Sequence, residues 1–165
     1  YFPADKGNPK WQRSEGRLFL GIDHTAIGIG STERSTQFYS ELLGFKVAGG
    51  GVNTGITQEQ LDNAFGAVVR ITGLRPERAL GPGLEFLQYL TPSGGRPAPI
   101  DGRANDLVAT RLVLEVDNID ELAEQLSKQN VTFVSPRVSA VPGEAYSKCL
   151  MVKDPDGHMV MLVQR

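Results

Sequence analysis

Two stretches of the chain carry the same order of apolar and polar positions. Residues 24–47 (HTAIGIGSTERSTQFYSELLGFKV) align without a gap on residues 111–134 (RLVLEVDNIDELAEQLSKQNVTFV), at an offset of 87. Apolar residues coincide: Ile27 with Leu114, Ile29 with Val116, Val47 with Val134. A second echo places Leu84-Glu85-Phe86-Leu87-Gln88 on Val160-Met161-Leu162-Val163-Gln164. Self-similarity of this kind marks a duplicated unit, each copy burying its apolar face against the other. It also makes His24 equivalent to Arg111, and Glu85 to Met161.

Within the first copy, Leu18–Ile29 alternates as a strand does. Ile22, His24 and Ala26 share one face, and Thr25, Ile27 and Ile29 the other. Ser31 or Thr32 suits a helix N-cap, with Glu33 in the favourable first turn. The helix carries Phe38, Leu42 and Leu43, and Gly44 stops it. Phe45–Ala48 reads as a short strand, Gly49–Gly51 as a flexible hinge, and Gln58–Ala64 as a short helix. Strands over Ala67–Thr72 and Leu84–Leu90 complete the copy. The second copy runs the same course: strand Leu107–Val116, cap Asn118, then a helix whose apolar face is Ile119, Leu122, Ala123 and Leu126. Strands follow over Val131–Val134, Ala145–Val152 and His158–Val163. Asp154-Pro155-Asp156-Gly157 forms a turn before the last of them. The expected fold is α+β, with βαβββ twice and eight strands in all. The modules span residues 18–96 and 106–165. Residues 1–17, with prolines, glycines and mixed charges, read as an extended arm or linker.

Composition narrows the function classes. A net charge of −2 without a long basic run argues against nucleic acid as a partner. No apolar run approaches the roughly 18 residues needed to span a membrane. A cytoplasmic location is the resulting expectation, although a first residue of Tyr1 leaves a removed targeting segment open. The single cysteine, Cys149, excludes an intrachain disulfide, and its apolar neighbours suit a buried, inert thiol.

The duplicated βαβββ plan, the opening strand with His24 and the Asp154-Pro155-Asp156-Gly157 turn before the closing strand resemble the vicinal oxygen chelate superfamily. That group includes glyoxalase I, extradiol dioxygenases, methylmalonyl-CoA epimerase and the bleomycin and fosfomycin resistance proteins. The resemblance covers residues 18 to 165. It implies a curved half-barrel around a shared cavity. It also implies a divalent metal held by one first-strand and one last-strand residue from each module. Carried over, those positions are His24 and Arg111, and Glu85 and Met161. Where the family usually has His or Gln, this chain has Arg111; where it has Glu, this chain has Met161.

Those two departures shape the functional expectation. Arginine is permanently charged and cannot ligate a cation, and a thioether suits soft metals alone. A catalytic zinc site normally takes three protein ligands. No metal or other cofactor is therefore expected at the degenerate slots. His24 and Glu85 become candidates for acid–base work, and Arg111 for holding an anion or pairing with Glu85. Arg70, Tyr89, Tyr146 and Met161 are further candidate ligand contacts, with Lys148 close by. His158 is expected to face away from the Met161 slot. The Gly49–Ala67 segment is a candidate lid, and the Gly94–Asn105 loop a candidate opposing wall. Three classes stay open. One is a binder of a small anionic or aromatic molecule, like the resistance proteins. Another is a metal-dependent lyase, isomerase or extradiol-dioxygenase-like enzyme, in which a divalent metal is still bound, and the third a non-catalytic C-terminal module of a longer tandem protein. Association as a homodimer or with a tandem partner is expected from the sheet edges.

Overall fold

The repeat becomes two sheets of matching construction in a computed structural model of the protein. The structure describes residues 13, 16–78, 81–97, 99–103, 105–107, 109–143 and 145–165. Most of the arm expected at residues 1–17 lies outside them. The first module contains β1 (His24–Gly28), α1 (Thr32–Thr36), β2 (Lys46–Asn53), α2 (Ile56–Asp62), β3 (Val68–Arg75) and β4 (Gly83–Thr91). The second contains β5 (Arg111–Glu115), α3 (Ile119–Lys128), β6 (Thr132–Phe133), β7 (Ser139–Ala140), β8 (Lys148–Lys153) and β9 (Met159–Gln164). Strand order is β1-β4-β3-β2 in one sheet and β5-β9-β8-β6 in the other, with β7 also on β8.

The two registers are identical. In the first module β1 runs parallel to β4, with His24 opposite Gly83 and Ala26 opposite Glu85. In the second β5 runs parallel to β9, with Arg111 opposite Met159 and Val113 opposite Met161. One face of each sheet packs on helices. Ile27, Leu84, Phe86 and Leu74 from the first sheet join Leu150, Val152, Val160 and Leu162 from the second. Phe38, Tyr39, Ile119 and Leu126 from the helical segments complete this single core. The opposite face of each sheet, here the open face, carries the candidate residues.

Side chains reproduce the symmetry on the helix side. Gln88 Oε1 accepts from the Thr32 amide at 3.3 Å and from its hydroxyl at 2.8 Å. Gln164 Oε1 accepts from the Ile119 amide at 2.8 Å. Each glutamine thus satisfies an orphan amide in the first turn of its module's helix. Beside them, Arg70 pairs with Glu33 at 3.4 Å, and Lys148 pairs with Asp120. The caps Ser31 and Asn118 each accept an amide three residues on.

Several expectations need correction. The described residues form nine strands rather than eight, because Ser139–Ala140 adds a short bridge to β8. The opening strand is confined to His24–Gly28, since β4 begins at Gly83 and offers nothing to pair before it. Leu18, Phe19 and Ile22 are consequently exposed, at 88%, 85% and 72%. Likewise β5 starts at Arg111, opposite the first residue of β9. The three glycines are no hinge: β2 runs through them to Asn53, with a register shift between Val47 and Gly49. At Gly50 a Cβ would lie 2.3 Å from the Ile71 carbonyl oxygen, so glycine permits a strand approach that any side chain would block. The first helix continues past Thr36 as a π-helical stretch over Gln37–Leu42. Its Tyr39, unremarked in the periodicity, is fully buried.

That tyrosine joins the modules. Tyr39 donates to Asp154 Oδ2 at 3.0 Å, and His158 Nδ1 lies 2.8 Å from the same oxygen. Asp154 Oδ1 accepts from the amides of Asp156 and His158, which fixes the Asp154–Gly157 turn. Asp156 then accepts from the Gly30 amide and the Ser35 hydroxyl of the first module. Arg78 pairs with Asp117 at 2.8 Å from the other side. Burial raises the Asp154 pKa, but the bonds from His158 and Tyr39 outweigh it and leave the carboxyl below its ordinary range. The bond to Asp154 holds the His158 imidazole above its ordinary value despite burial.

Candidate functional site

The open face of the first module begins at β1. His24 stands at its first residue, and Glu85, opposite Ala26, lies one pair further along β4. His24 Nε2 is 3.8 Å from Glu85 Oε1, while its Nδ1 is 2.9 Å from Asp23 Oδ2. Two carboxylates therefore flank the ring. Contact of Nδ1 with a carboxylate favours the tautomer that leaves Nε2 free to exchange a proton. Both His24 and Glu85 are partly exposed, so the pair itself contributes no more than about 1 kcal/mol to stability. Asp23 also binds Arg75, whose guanidinium lies 3.9 Å from Asp23 Oδ2 and over Gly83, 2.7 Å from where a Cβ would stand.

Tyr89 shares the Glu85 face, two pairs along β4. It is half-buried beside Asp62 at the end of α2, and burial and that carboxylate push its phenol above the ordinary range. Asp62 is held by Gln58 at 2.7 Å. The α2 part of the candidate Gly49–Ala67 lid therefore reaches the Tyr89 end of the open face, whereas Lys46–Asn53 is strand. The Gly94–Asn105 segment has no helix or strand among its described residues.

On the second module, Arg111 opens β5 and is exposed, while Met161, opposite Val113, is buried. The anticipated Glu85–Arg111 pair is not formed: Glu85 lies on the first sheet, 3.8 Å from His24 Nε2, and Arg111 on the second. Among the described residues no acidic side chain pairs with Arg111. Arg70 lies on the wrong side for a cavity contact: it is opposite Gln88, on the helix face, and bonds both Gln88 and Glu33. Lys148 is its counterpart and lies there too. Tyr146 is half-buried in the bend before β8. His158 turns to Asp154, as its odd spacing from Met161 suggests.

Sequence reasoning missed Asp23, which falls within the expected Leu18–Ile29 strand at the parity of Ile27 but in the structure precedes β1. It also missed Lys153, Met151 and Met159. The register puts all three on the open face with Met161: Met151 opposite Met161, and Lys153 opposite Met159. Two surface depressions lie away from these residues. One of about 470 Å³ runs along Val47–Val52 and Arg70–Thr72. The other, about 550 Å³, lies between α3 and Phe133–Val138.

This arrangement can be set beside known proteins. A family model of the Glyoxalase/Bleomycin resistance protein/Dioxygenase superfamily matches residues 21–162. The chain belongs to that superfamily. A lactoylglutathione lyase of Arabidopsis thaliana is 27% identical over 159 residues, which are 94% of this chain and 47% of that protein. The chain thus spans about half the length of that curated relative. A glyoxalase family protein from Bacillus cereus superposes with a TM-score of 0.76 at 20% identity, covering 90% of this chain and 95% of that one. An antibiotic binding protein from a Streptomyces species superposes at 0.51 and 18% identity, over 89% and 97% of the two chains. At such identities the structures share the fold, and the superfamily's varied chemistry leaves the activity to the site itself.

Superfamily membership raises the question of a divalent metal. The residues at the four slots do not fit one. His24 and Glu85 are suitable donors, but Arg111 brings a positive charge and Met161 a soft thioether. Among the described residues no three His, Cys, Asp or Glu side chains are grouped to hold a metal ion. No helix of the described residues is long and apolar enough to cross a membrane.

Proposed function

We propose that this superfamily member binds a small organic anion, aromatic in character, on the open face at Arg111, without a catalytic metal. One observation carries the reading: Arg111 is exposed on the open face and has no acidic partner among the described residues. A guanidinium presents parallel N–H donors that match a carboxylate or phosphate in two-point fashion. Because Arg111 is solvated in the free protein, removing it should cost little stability. Closing an anionic ligand over it would desolvate the pair and make its loss worth about 2–5 kcal/mol of affinity. The experiment is a calorimetric titration of native and Arg111→Ala protein with benzoate and benzamide. Binding of the acid that is lost in the variant, with an unchanged melting temperature, is the expected result. Equal binding of acid and amide by the native protein would overturn it.

A second reading rests on a different observation, the Asp23–His24–Glu85 arrangement. With Asp23 on Nδ1, His24 could shuttle a proton at Nε2 and serve a metal-independent lyase or isomerase. Turnover of an organic anion that survives chelator and is lost in His24→Ala would favour it over simple binding. Absence of any proton exchange from a bound anion would count against it.

A further inference from the structure

We propose that the open face of the second module takes a two-point aromatic anion. Arg111 and Lys153 hold its two anionic groups on either side of Met159, and its ring lies over Met159 and the half-buried Met151, next to the buried Met161. The proposal rests on the reading that Arg111 binds an organic anion, and it adds the second charge and the floor.

The register supplies the geometry. Arg111 is opposite Met159, and Met159 is opposite Lys153, so the two cations occupy one rung of the sheet with a single strand between them. Their backbones are two strand spacings apart, about 10 Å. Both side chains are long enough to lean inward over Met159. Lys153 is half-buried, and among the described residues neither cation has an acidic partner.

The module symmetry explains why neither charge has an acidic partner among the described residues. The counterpart of Lys153 in the first module is Arg75, which Asp23 engages. Asp23 immediately precedes β1, and the residue at that place before β5 is Thr110. The counterpart of Glu85 is Met161. Both carboxylates that balance the first module's open face are therefore missing from the second.

The floor has changed with the charge. All three methionines of the chain lie on this one face, at Met151, Met159 and Met161. By register they replace Gly73, Gly83 and Glu85 of the first module. Val113, opposite Met161, extends the apolar surface and is 53% exposed. Thioethers adapt their shape and make favourable contacts with aromatic rings. Clustered thioethers can also select a soft cation such as Cu(I), but two unpaired positive charges on the adjoining rung oppose that use. An anion carrying a ring satisfies the charges and the floor together.

The test uses isophthalate, benzoate, isophthalamide and cis-cyclohexane-1,3-dicarboxylate as probes, with calorimetry and methyl-13C-methionine NMR. Native protein should bind isophthalate at least tenfold more tightly than benzoate, and the saturated diacid at least fivefold more weakly than isophthalate. Lys153→Gln should reduce isophthalate to the benzoate level and leave benzoate unchanged. Isophthalate should move the Met151 and Met159 methyl signals, assigned with Met151→Leu and Met159→Leu, by aromatic ring current. Equal affinity for isophthalate and benzoate, or an unaffected Lys153→Gln, overturns the two-point site. If benzoate binding is still lost in Arg111→Ala, the single-anion reading survives that outcome. Unmoved methionine signals overturn the floor. Isophthalamide binding as well as the diacid overturns both this proposal and the reading beneath it.

Discussion

The two modules share a backbone plan and a helix-side network but differ on their open faces. On the helix side, Gln88 and Gln164 cap equivalent helices, and Arg70–Glu33 matches Lys148–Asp120. The two glutamines each satisfy a first-turn amide, and the two ion pairs lie beside them at more exposed positions. On the open side of the first module, Asp23 contacts both His24 and Arg75, and Glu85 lies beside His24. The second has Thr110, Arg111, Lys153 and Met161 at the same places. The face that builds the core has been kept in both copies, while the opposite face has diverged. A duplicated fold can change its chemistry in this way without disturbing its packing.

The largest effect should come from reversing that divergence. Arg111→His combined with Met161→Glu gives the second module the donors its counterpart positions imply. With His24 and Glu85 it should create divalent-metal affinity of at least micromolar strength, on the order of 8 kcal/mol. Calorimetry with zinc on native and doubly substituted protein checks this. No gain would mean that the four positions do not converge.

Next in size is the junction between the modules. Asp154→Ala orphans the buried Tyr39 hydroxyl and two turn amides, and should cost on the order of 3 kcal/mol in a urea titration. Its pH signature follows from the two shifts. The lowered Asp154 pKa contributes stability that is present above the ordinary carboxylate value, about 3.9, and is lost as pH falls through the depressed folded value. The raised His158 pKa contributes stability that is fully present below about 6.5 and is lost as pH rises through the raised folded value. The pair should therefore be worth most between about pH 4 and 6.5, and Asp154→Ala should flatten both edges of the stability profile.

The smallest effect probes the shared side. Gln164→Leu should cost about 1 kcal/mol by chemical denaturation and Gln88→Leu somewhat more, because both remove a helix-capping acceptor and Gln88 also bonds the Thr32 hydroxyl and the Gly30 carbonyl. A smaller cost for Gln88→Leu than for Gln164→Leu would contradict this.

Much of this was legible in the chain. Alternation and the offset repeat were enough for the βαβββ plan, the caps Ser31 and Asn118, and the equivalence of His24 with Arg111. What escaped depends on neighbours in space. The glycines of β2 read as a hinge because close approach to Ile71 leaves no trace in local pattern. Arg70 was placed on the cavity side because parity within β3 does not reveal which face meets the helices; its pairing opposite Gln88 does. Lys153 and the three methionines become one surface through the β8–β9 register alone. The exposed lead-in Leu18–Ile22 has strand character but no strand to pair with.

The central claim is that Arg111 and Met161 have turned a metal-binding position into a metal-free anion site. Its most direct test is metal analysis of protein purified without chelator, for the native chain and for a His24→Ala, Glu85→Ala double variant. Substoichiometric zinc, iron, nickel and manganese, the same in both proteins, is the predicted result. One equivalent of any of these metals in the native protein, lost in the double variant, would contradict it.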